Sequence, residues 1–199
     1  MASSGIEISR HSFATRLLHM GLATVVMLQL LTSLWMTAPR KERQADWLFV
    51  VHEYCGVIAL SLALGTWLVL TFRRRGTAVS LLFPWLNASR RRAVWEDLRD
   101  HWQLAKSRRL PGYHAENPLA SAIHGLGLLL MTAMAASGTL YFVALYIDSA
   151  RSEWASIDLE IHQSLANLAW VYLVAHAGFA IVHHYAQGMN LREMWSLRK

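Results

Sequence analysis

The sequence predicts an all-α membrane protein in which four transmembrane helices form an antiparallel bundle. Of the 199 residues, 54% are hydrophobic and 16% are charged, and the mean hydropathy is +0.26, values typical of a chain that lies in a bilayer. Four apolar segments each have at least the ~20 residues that a helix needs to cross the hydrocarbon core: 17–38, 47–72, 119–147 and 159–186. Little remains for a soluble domain, so residues 1–199 are predicted to form a single transmembrane domain.

The first apolar segment is interpreted as a transmembrane helix and not as a signal peptide. It is longer than an ordinary signal-peptide core and lacks a clean small-residue cleavage site. The turns at 39–46 and 148–158 are short, so the helices on either side of each turn are expected to be antiparallel neighbours. The chain is thus predicted to contain two helical hairpins.

The long middle segment, 73–118, is predicted to contain an amphipathic helix. Val94, Leu98, Trp102 and Ala105 recur at helical spacing, with arginines around them. Such a helix suits the surface of a membrane leaflet, and a solvated loop is the alternative.

The charge distribution predicts the orientation in the membrane. Segment 73–118 holds ten Lys and Arg against four Asp and Glu, whereas turn 148–158 holds one Arg and three acidic residues. The positive-inside rule then places both termini and the middle loop in the cytoplasm. The basic residues of the first turn, Arg40, Lys41 and Arg43, argue against this orientation but are outnumbered. The net charge of +6 is explained by this asymmetry, and no nucleic-acid partner is expected.

Two histidines of the last apolar segment indicate a pair of cofactors. His162 and His176 are fourteen residues apart, so on a helix they lie on nearly the same face, separated by about 21 Å along the axis. A histidine inside a bilayer is costly unless it has a function. The cofactor that fits best is haem, held by imidazoles from facing helices.

The predicted topology sorts four histidines into two pairs at two depths. His52 and His162 fall at the outer level, and His19 and His176 at the cytoplasmic level. This arrangement predicts bis-histidine ligation of two stacked b-type haems. The alternative for any single histidine is a hydrogen bond to a neighbouring helix. Cys55 is the only cysteine, so an iron–sulfur cluster and covalent haem attachment are both excluded.

Further polar side chains are candidates for contacts to haem propionates or to a bound quinone. They are Arg16, His124, His183 and His184, and for the histidines a position at the membrane interface is the alternative. His124 also rivals His19 or His176 as a ligand at the cytoplasmic level. Gly56, Gly125, Gly127 and Gly138 would let a flat porphyrin approach the backbone, although glycine is also common where membrane helices simply pack.

The chain resembles the bacterial cytochrome b561 family. The resemblance covers all four spans and is densest in the last. That span contains EIHQSLANL at 160–168, then His176-Ala177 and His183-His184-Tyr185. The first three spans contribute Leu-Leu-His ending at His19, His52 followed by Cys55-Gly56, and His124 ahead of Gly138. The family belongs to the four-helix dihaem cytochromes, with the cytochrome b subunits of Ni,Fe-hydrogenase and formate dehydrogenase. The resemblance implies the same ligand pairing, and electron transfer across the bacterial inner membrane between an extracytoplasmic donor and ubiquinone or menaquinone.

The resemblance leaves the electron donor open. The founding member is similar to a superoxide oxidase, so the best enzymatic interpretation is a superoxide:ubiquinone oxidoreductase. This chain departs from that member in its longer loop and its mixed outer charges, which favour the alternative of a cytochrome b subunit serving a periplasmic dehydrogenase or multihaem cytochrome. A haem-free channel is the third reading. From position, Glu53, Glu160 and Arg151 are expected to shape the site where electrons enter.

Overall fold

The computed structural model describes residues 11–39, 43–73, 76–109, 112, 117–148, 153–187 and 190–196. Within these ranges the chain forms helices α1 (Phe13–Trp35), α2 (Trp47–Phe72), α3 (Val79–Leu82), α4 (Ala88–Lys106), α5 (Pro118–Asp148), α6 (Glu153–Gln187) and α7 (Arg192–Trp195), with a 3₁₀ turn at Pro84–Leu86.

Helices α1, α2, α5 and α6 are each long and apolar enough to cross a membrane. Large apolar side chains on all four face outward, among them Leu31, Leu64, Leu140 and Val171, as expected for helices that contact lipid. The predicted all-α, four-helix membrane bundle is therefore confirmed, and the protein is a multi-pass membrane protein.

Two of the long helices begin at least four residues before the apolar segments that predicted them. Helix α1 begins at Phe13, where the Ser12 side chain accepts a hydrogen bond from the Thr15 amide at 3.1 Å. Helix α6 begins at Glu153 and includes the last part of the predicted turn 148–158. An apolar segment marks the length that lies in lipid, whereas a helix begins where its first amides find an acceptor.

The turn between α1 and α2 is fixed by Asp46. One carboxylate oxygen accepts from the Phe49 amide and the other from the Thr37 amide, both at 2.9 Å. The bond from Phe49, more than that from Thr37, holds the pKa of Asp46 below its ordinary value, because both amides favour the charged carboxylate. A single side chain thus caps α2 and ties it to the end of α1.

Helix α1 packs on α2, α2 on α5, and α5 on α6. Small residues mark these interfaces, since Ala59, Ala63, Ala135 and Ala144 are all buried. Small side chains let membrane helices approach closely, which replaces the hydrophobic driving force available in water. Leu30, Met131 and Ala169 form a buried cluster that joins α1, α5 and α6 across the interior.

Helix α4 is the amphipathic helix predicted in the middle loop. Its Asp97 carboxylate accepts from the Leu119 amide at the start of α5 (2.9 Å) and pairs with His101 at 3.0 Å. Trp95, Leu98 and Trp102 are exposed on the other side of the helix. Helix α4 is therefore attached to the bundle through Asp97, and its exposed Trp95, Leu98 and Trp102 are available to a membrane surface.

Helix α3 lies directly on α5 at Gly125, where a Cβ atom would overlap the backbone carbonyl of Leu82. We expect Gly125→Ala to push these helices apart and to lower the free energy of unfolding by about 1–3 kcal/mol. Thermal unfolding of the purified protein measures the loss. Gly178→Ala is the matched control, because a Cβ at Gly178 meets no atom within 4 Å; equal stability of the two variants would contradict the prediction.

Candidate functional site

The structure brings the four predicted histidines together in the predicted pairs. His52 of α2 and His162 of α6 form the first pair, with ring centroids 6.3 Å apart. His19 of α1 and His176 of α6 form the second pair, with ring centroids 6.5 Å apart. Helix α6 contributes one histidine to each pair, so the two sites lie about 21 Å apart along its axis.

Both separations suit a metal ion held between two imidazoles. With a metal–nitrogen bond of about 2 Å and about 1 Å more to each ring centroid, two imidazoles on opposite sides of a metal lie about 6 Å apart. The described residues contain no cluster of three or more His, Cys, Asp or Glu side chains that could hold a metal ion. The remaining ligands would therefore come from a cofactor, as they do in a haem with two axial histidines.

The first pair opens on a cleft between the helices that is partly open at the surface. His52, Glu53, Gly56, Gly138 and His162 are among the residues that line it. A Cβ at Gly138 would lie 2.9 Å from Cε1 of His162, so the glycine keeps space beside the ring. The lining, which is mostly apolar and includes both histidines, fits a haem.

Hydrogen bonds fix the ring of His52. Its Nδ1 lies 3.0 Å from Oγ1 of Thr32, and the Thr32 hydroxyl donates to the Leu28 carbonyl at 2.8 Å. Because the hydroxyl proton is used in that bond, the Thr32 oxygen accepts a hydrogen bond from the Nδ1–H of His52. The Gln29 amide also donates to the backbone carbonyl of His52 at 2.6 Å. We therefore assign the tautomer that leaves Nε2 as the free ligand atom.

His162 has the same arrangement on the opposite side of the cleft. Its Nδ1 lies 3.0 Å from the Ser137 hydroxyl, which donates to the Met134 carbonyl at 3.1 Å. The Ser137 oxygen is thus the acceptor, and Nε2 of His162 is likewise free. Histidines that bind metals usually donate the other ring N–H in this way.

The second pair has different surroundings. Nδ1 of His19 is buried and has no hydrogen-bond partner within the described part of the chain. Tyr172 stacks on His176 with centroids 5.3 Å apart and planes 10° apart, and a Cβ at Gly127 would overlap its phenol group. Of the glycines predicted to admit a porphyrin, Gly125 and Gly127 instead make room for α3 and for Tyr172.

The C-terminal helix α7 packs against the second pair. Arg16, which is 4% exposed, donates from Nη1 to the Ser196 carbonyl at 2.6 Å. The Trp195 ring meets His19 edge-on, with centroids 5.9 Å apart. Arg16 and His19 are three residues apart on α1, which places them on one face. A buried cation therefore lies close to the second pair.

His124 also reaches the second pair. Its ring centroid lies 5.0 Å from that of His176, and its Nδ1 donates to the Ala120 carbonyl at 2.6 Å. The His19 and His176 centroids, by contrast, are 6.5 Å apart. Two imidazoles that bind a metal from opposite sides need about 6 Å between their centroids, so His124 lies too close to His176 to share a metal with it. The geometry therefore favours His19 as the partner of His176 and gives His124 a direct contact to the ring.

The remaining predicted residues lie near the helix ends. Nδ1 of His183 is 3.0 Å from the Gln187 amide oxygen, and the rings of His184 and Tyr185 are 5.0 Å apart. Glu160 is exposed on α6. Arg151 lies outside the described residues, as do Arg40 and Lys41.

Sequence reasoning missed Thr32, Ser137, Tyr172 and Trp195. A hydroxyl residue in an apolar helix often bonds only to its own helix, so Thr32 and Ser137 carried no distinguishing signal. Aromatic residues are equally ordinary in membrane helices. Their contacts with the histidines arise from how the helices pack, which the sequence does not display.

A comparison with family models matches residues 10–197 to the prokaryotic cytochrome b561 family. Neither a curated protein nor a solved structure matches the chain. The family match spans all four long helices and both histidine pairs, and it agrees with the resemblance found in the sequence. The chain therefore belongs to the prokaryotic cytochrome b561 family and is a membrane b-type cytochrome that binds haem and transfers electrons.

Proposed function

We propose that the protein is a dihaem cytochrome that carries electrons across the bacterial inner membrane, from an extracytoplasmic donor to ubiquinone or menaquinone. The observation that carries the proposal is the presence of two histidine pairs, 6.3 and 6.5 Å between centroids, along one helix. His52 and His162 would hold one haem iron, and His19 and His176 the other. Bound haem would supply one-electron exchange at each pair.

The chain's own contribution is placement. Helix α6 spaces the two sites by about 21 Å, and the apolar helices around them exclude water. Thr32 and Ser137 hold the two rings of the first pair, whereas Arg16 and Trp195 cover the second pair. The protein thus orients its cofactors and sets their surroundings, which is the usual division of work in a cofactor protein.

The charge asymmetry supports an orientation in which the second pair lies on the cytoplasmic side. The start of α1, helix α7 and the basic α4 lie at that end. Reduction of one quinone to quinol takes two electrons and two protons, so the quinone site needs groups that can pass protons. His124 and His183 are our candidates for this role, since an imidazole can both accept and donate a proton, and Arg16, whose guanidinium only donates hydrogen bonds, is our candidate for binding the quinone.

Superoxide is the small-molecule donor to test first, and a docked redox protein is the alternative. Exposed acidic side chains favour the alternative, because Glu153 and Glu160 lie on the part of α6 that precedes and adjoins the first pair. A surface that carries such acidic side chains does not attract a superoxide anion as a purely cationic one would. Superoxide added to purified protein with quinone distinguishes the two: haem reduction at a near diffusion-limited rate supports the oxidase, and slow reduction supports the docked subunit.

The haem content tests the proposal as a whole. We expect purified protein to show a b-type band in its reduced-minus-oxidised spectrum and about two haems per chain in a pyridine haemochrome assay, because each pair offers two axial ligands. A value near one haem per chain would overturn the dihaem assignment. The absence of a b-type band would overturn haem binding itself.

A further inference from the structure

We infer that Thr32 and Ser137 are positioning residues that lower the reduction potential of the haem held by His52 and His162, so that electrons run downhill from the first pair to the second. The inference rests on the proposed function, because it takes both pairs as haem ligands. It adds which residues set the direction of electron flow.

The hydrogen bonds from Nδ1 of His52 and His162 change how strongly these rings bind iron. Both rings of the first pair donate a hydrogen bond from Nδ1–H to a hydroxyl oxygen, with N···O distances of 3.0 Å. A histidine whose N–H is hydrogen-bonded becomes a more basic ligand, and a more basic ligand stabilises the oxidised iron, which carries the greater positive charge. Hydrogen bonding to axial ligands is one of the protein's means of setting a haem potential.

Burial strengthens both of these hydrogen bonds. Thr32 and Ser137 are 9% and 6% exposed, so water cannot easily replace their oxygens as acceptors. Hydrogen bonds are electrostatically stronger in such surroundings than in water. Each hydroxyl is also held in place by its bond to a carbonyl of its own helix, and its oxygen stays aimed at the ring.

The second pair differs from the first in the surroundings of His19. Nδ1 of His19 is buried and has no hydrogen-bond partner among the described residues, so this ligand lacks the increase in basicity. The guanidinium of Arg16 lies on the same face of α1. A nearby positive charge opposes the extra positive charge of oxidised iron, so both features raise the potential of the second site relative to the first.

The difference in reduction potential between the two sites sets the direction of electron transfer. An electron that leaves a donor and reduces the first site can then reduce the second site, and the first returns to its oxidised form. The electron count is unchanged, and no additional oxidant or reductant is needed between the two sites. The hydrogen bonds of Thr32 and Ser137 thus favour transfer toward the end where Arg16 and His124 lie.

Redox titration of the purified holoprotein in lipid nanodiscs tests the inference. We expect the titration to show two one-electron components, one for each haem. In Thr32→Val and Ser137→Ala, only the component with the lower reduction potential should shift. The reduction equilibrium of that haem should become about tenfold more favourable, a rise of about 59 mV. Thr32→Ser and Ser137→Thr keep a hydroxyl and should restore the original potential.

Two matched controls separate this effect from the loss of a hydroxyl in general. Thr24 and Ser164 bond to the carbonyls of Met20 and Glu160 in their own helices, at 2.9 and 2.8 Å. Thr24→Val and Ser164→Ala should leave both components unchanged. The inference would be overturned if Thr32→Val and Ser137→Ala shifted the higher reduction potential, shifted both potentials equally, or shifted neither.

The haem content of the same samples shows which proposal has failed. Two haems per chain with unmoved potentials would overturn the role of Thr32 and Ser137 and leave the dihaem function standing. Fewer than two haems in the unchanged protein would overturn both. If Thr32→Val loses haem, Ser137→Ala carries the test alone, since its hydroxyl lies on the opposite side of the cleft.

Discussion

His162→Ala is expected to remove one haem of two and to leave the other in place. The alanine cannot ligate iron, whereas the second pair is about 21 Å away along α6 and keeps both of its rings. The haem content should fall from about two per chain to about one, and only the upper component of the redox titration should remain. A pyridine haemochrome assay and the titration measure these changes.

A second substitution identifies the haem that remains. Thr32→Val added to His162→Ala should leave the surviving potential unchanged, because Thr32 contacts His52 of the first pair. His101→Ala is the control for loss of a histidine as such, since His101 pairs with Asp97 on α4. Loss of both haems in His162→Ala, or survival of a haem that still responds to Thr32→Val, would contradict the pairing.

The pairing of the histidines could be predicted because it depends on regular geometry. Fourteen residues of α-helix fix the direction and separation of His162 and His176 whatever surrounds them, and the positions of His19 and His52 in their own segments set their depths. The second long helix, Trp47–Phe72, also has the bounds of its apolar segment. Length and periodicity are properties of the chain alone.

The surroundings of the histidines could not be predicted, because they depend on how the helices pack. Thr32 reaches His52 only because α1 presents that face to α2, and α7 returns from the far end of the chain to place Trp195 beside His19. The same holds for α4, where the sequence predicts an amphipathic helix but not that Asp97 attaches it to α5. Each contact is between residues distant in sequence.

His19→Ala should remove the haem of the second pair, whereas His124→Ala should retain it. His19 lies 6.5 Å from His176, a separation that admits a metal between the rings, but His124 lies only 5.0 Å away. His19→Ala should therefore leave about one haem per chain, and His124→Ala about two. The haemochrome assay compares the two variants directly.

The reverse result would make His124 the ligand and would change the geometry of the bundle. The second haem would then lie between α5 and α6, on one helical hairpin, and not between α1 and α6. Arg16, which lies on the same face of α1 as His19, would lose its proposed influence on the potential of the second haem. Because His124 is exposed and His19 is half-buried, the site at His19 is better shielded from water, and the proposed redox asymmetry between the two sites depends on that position.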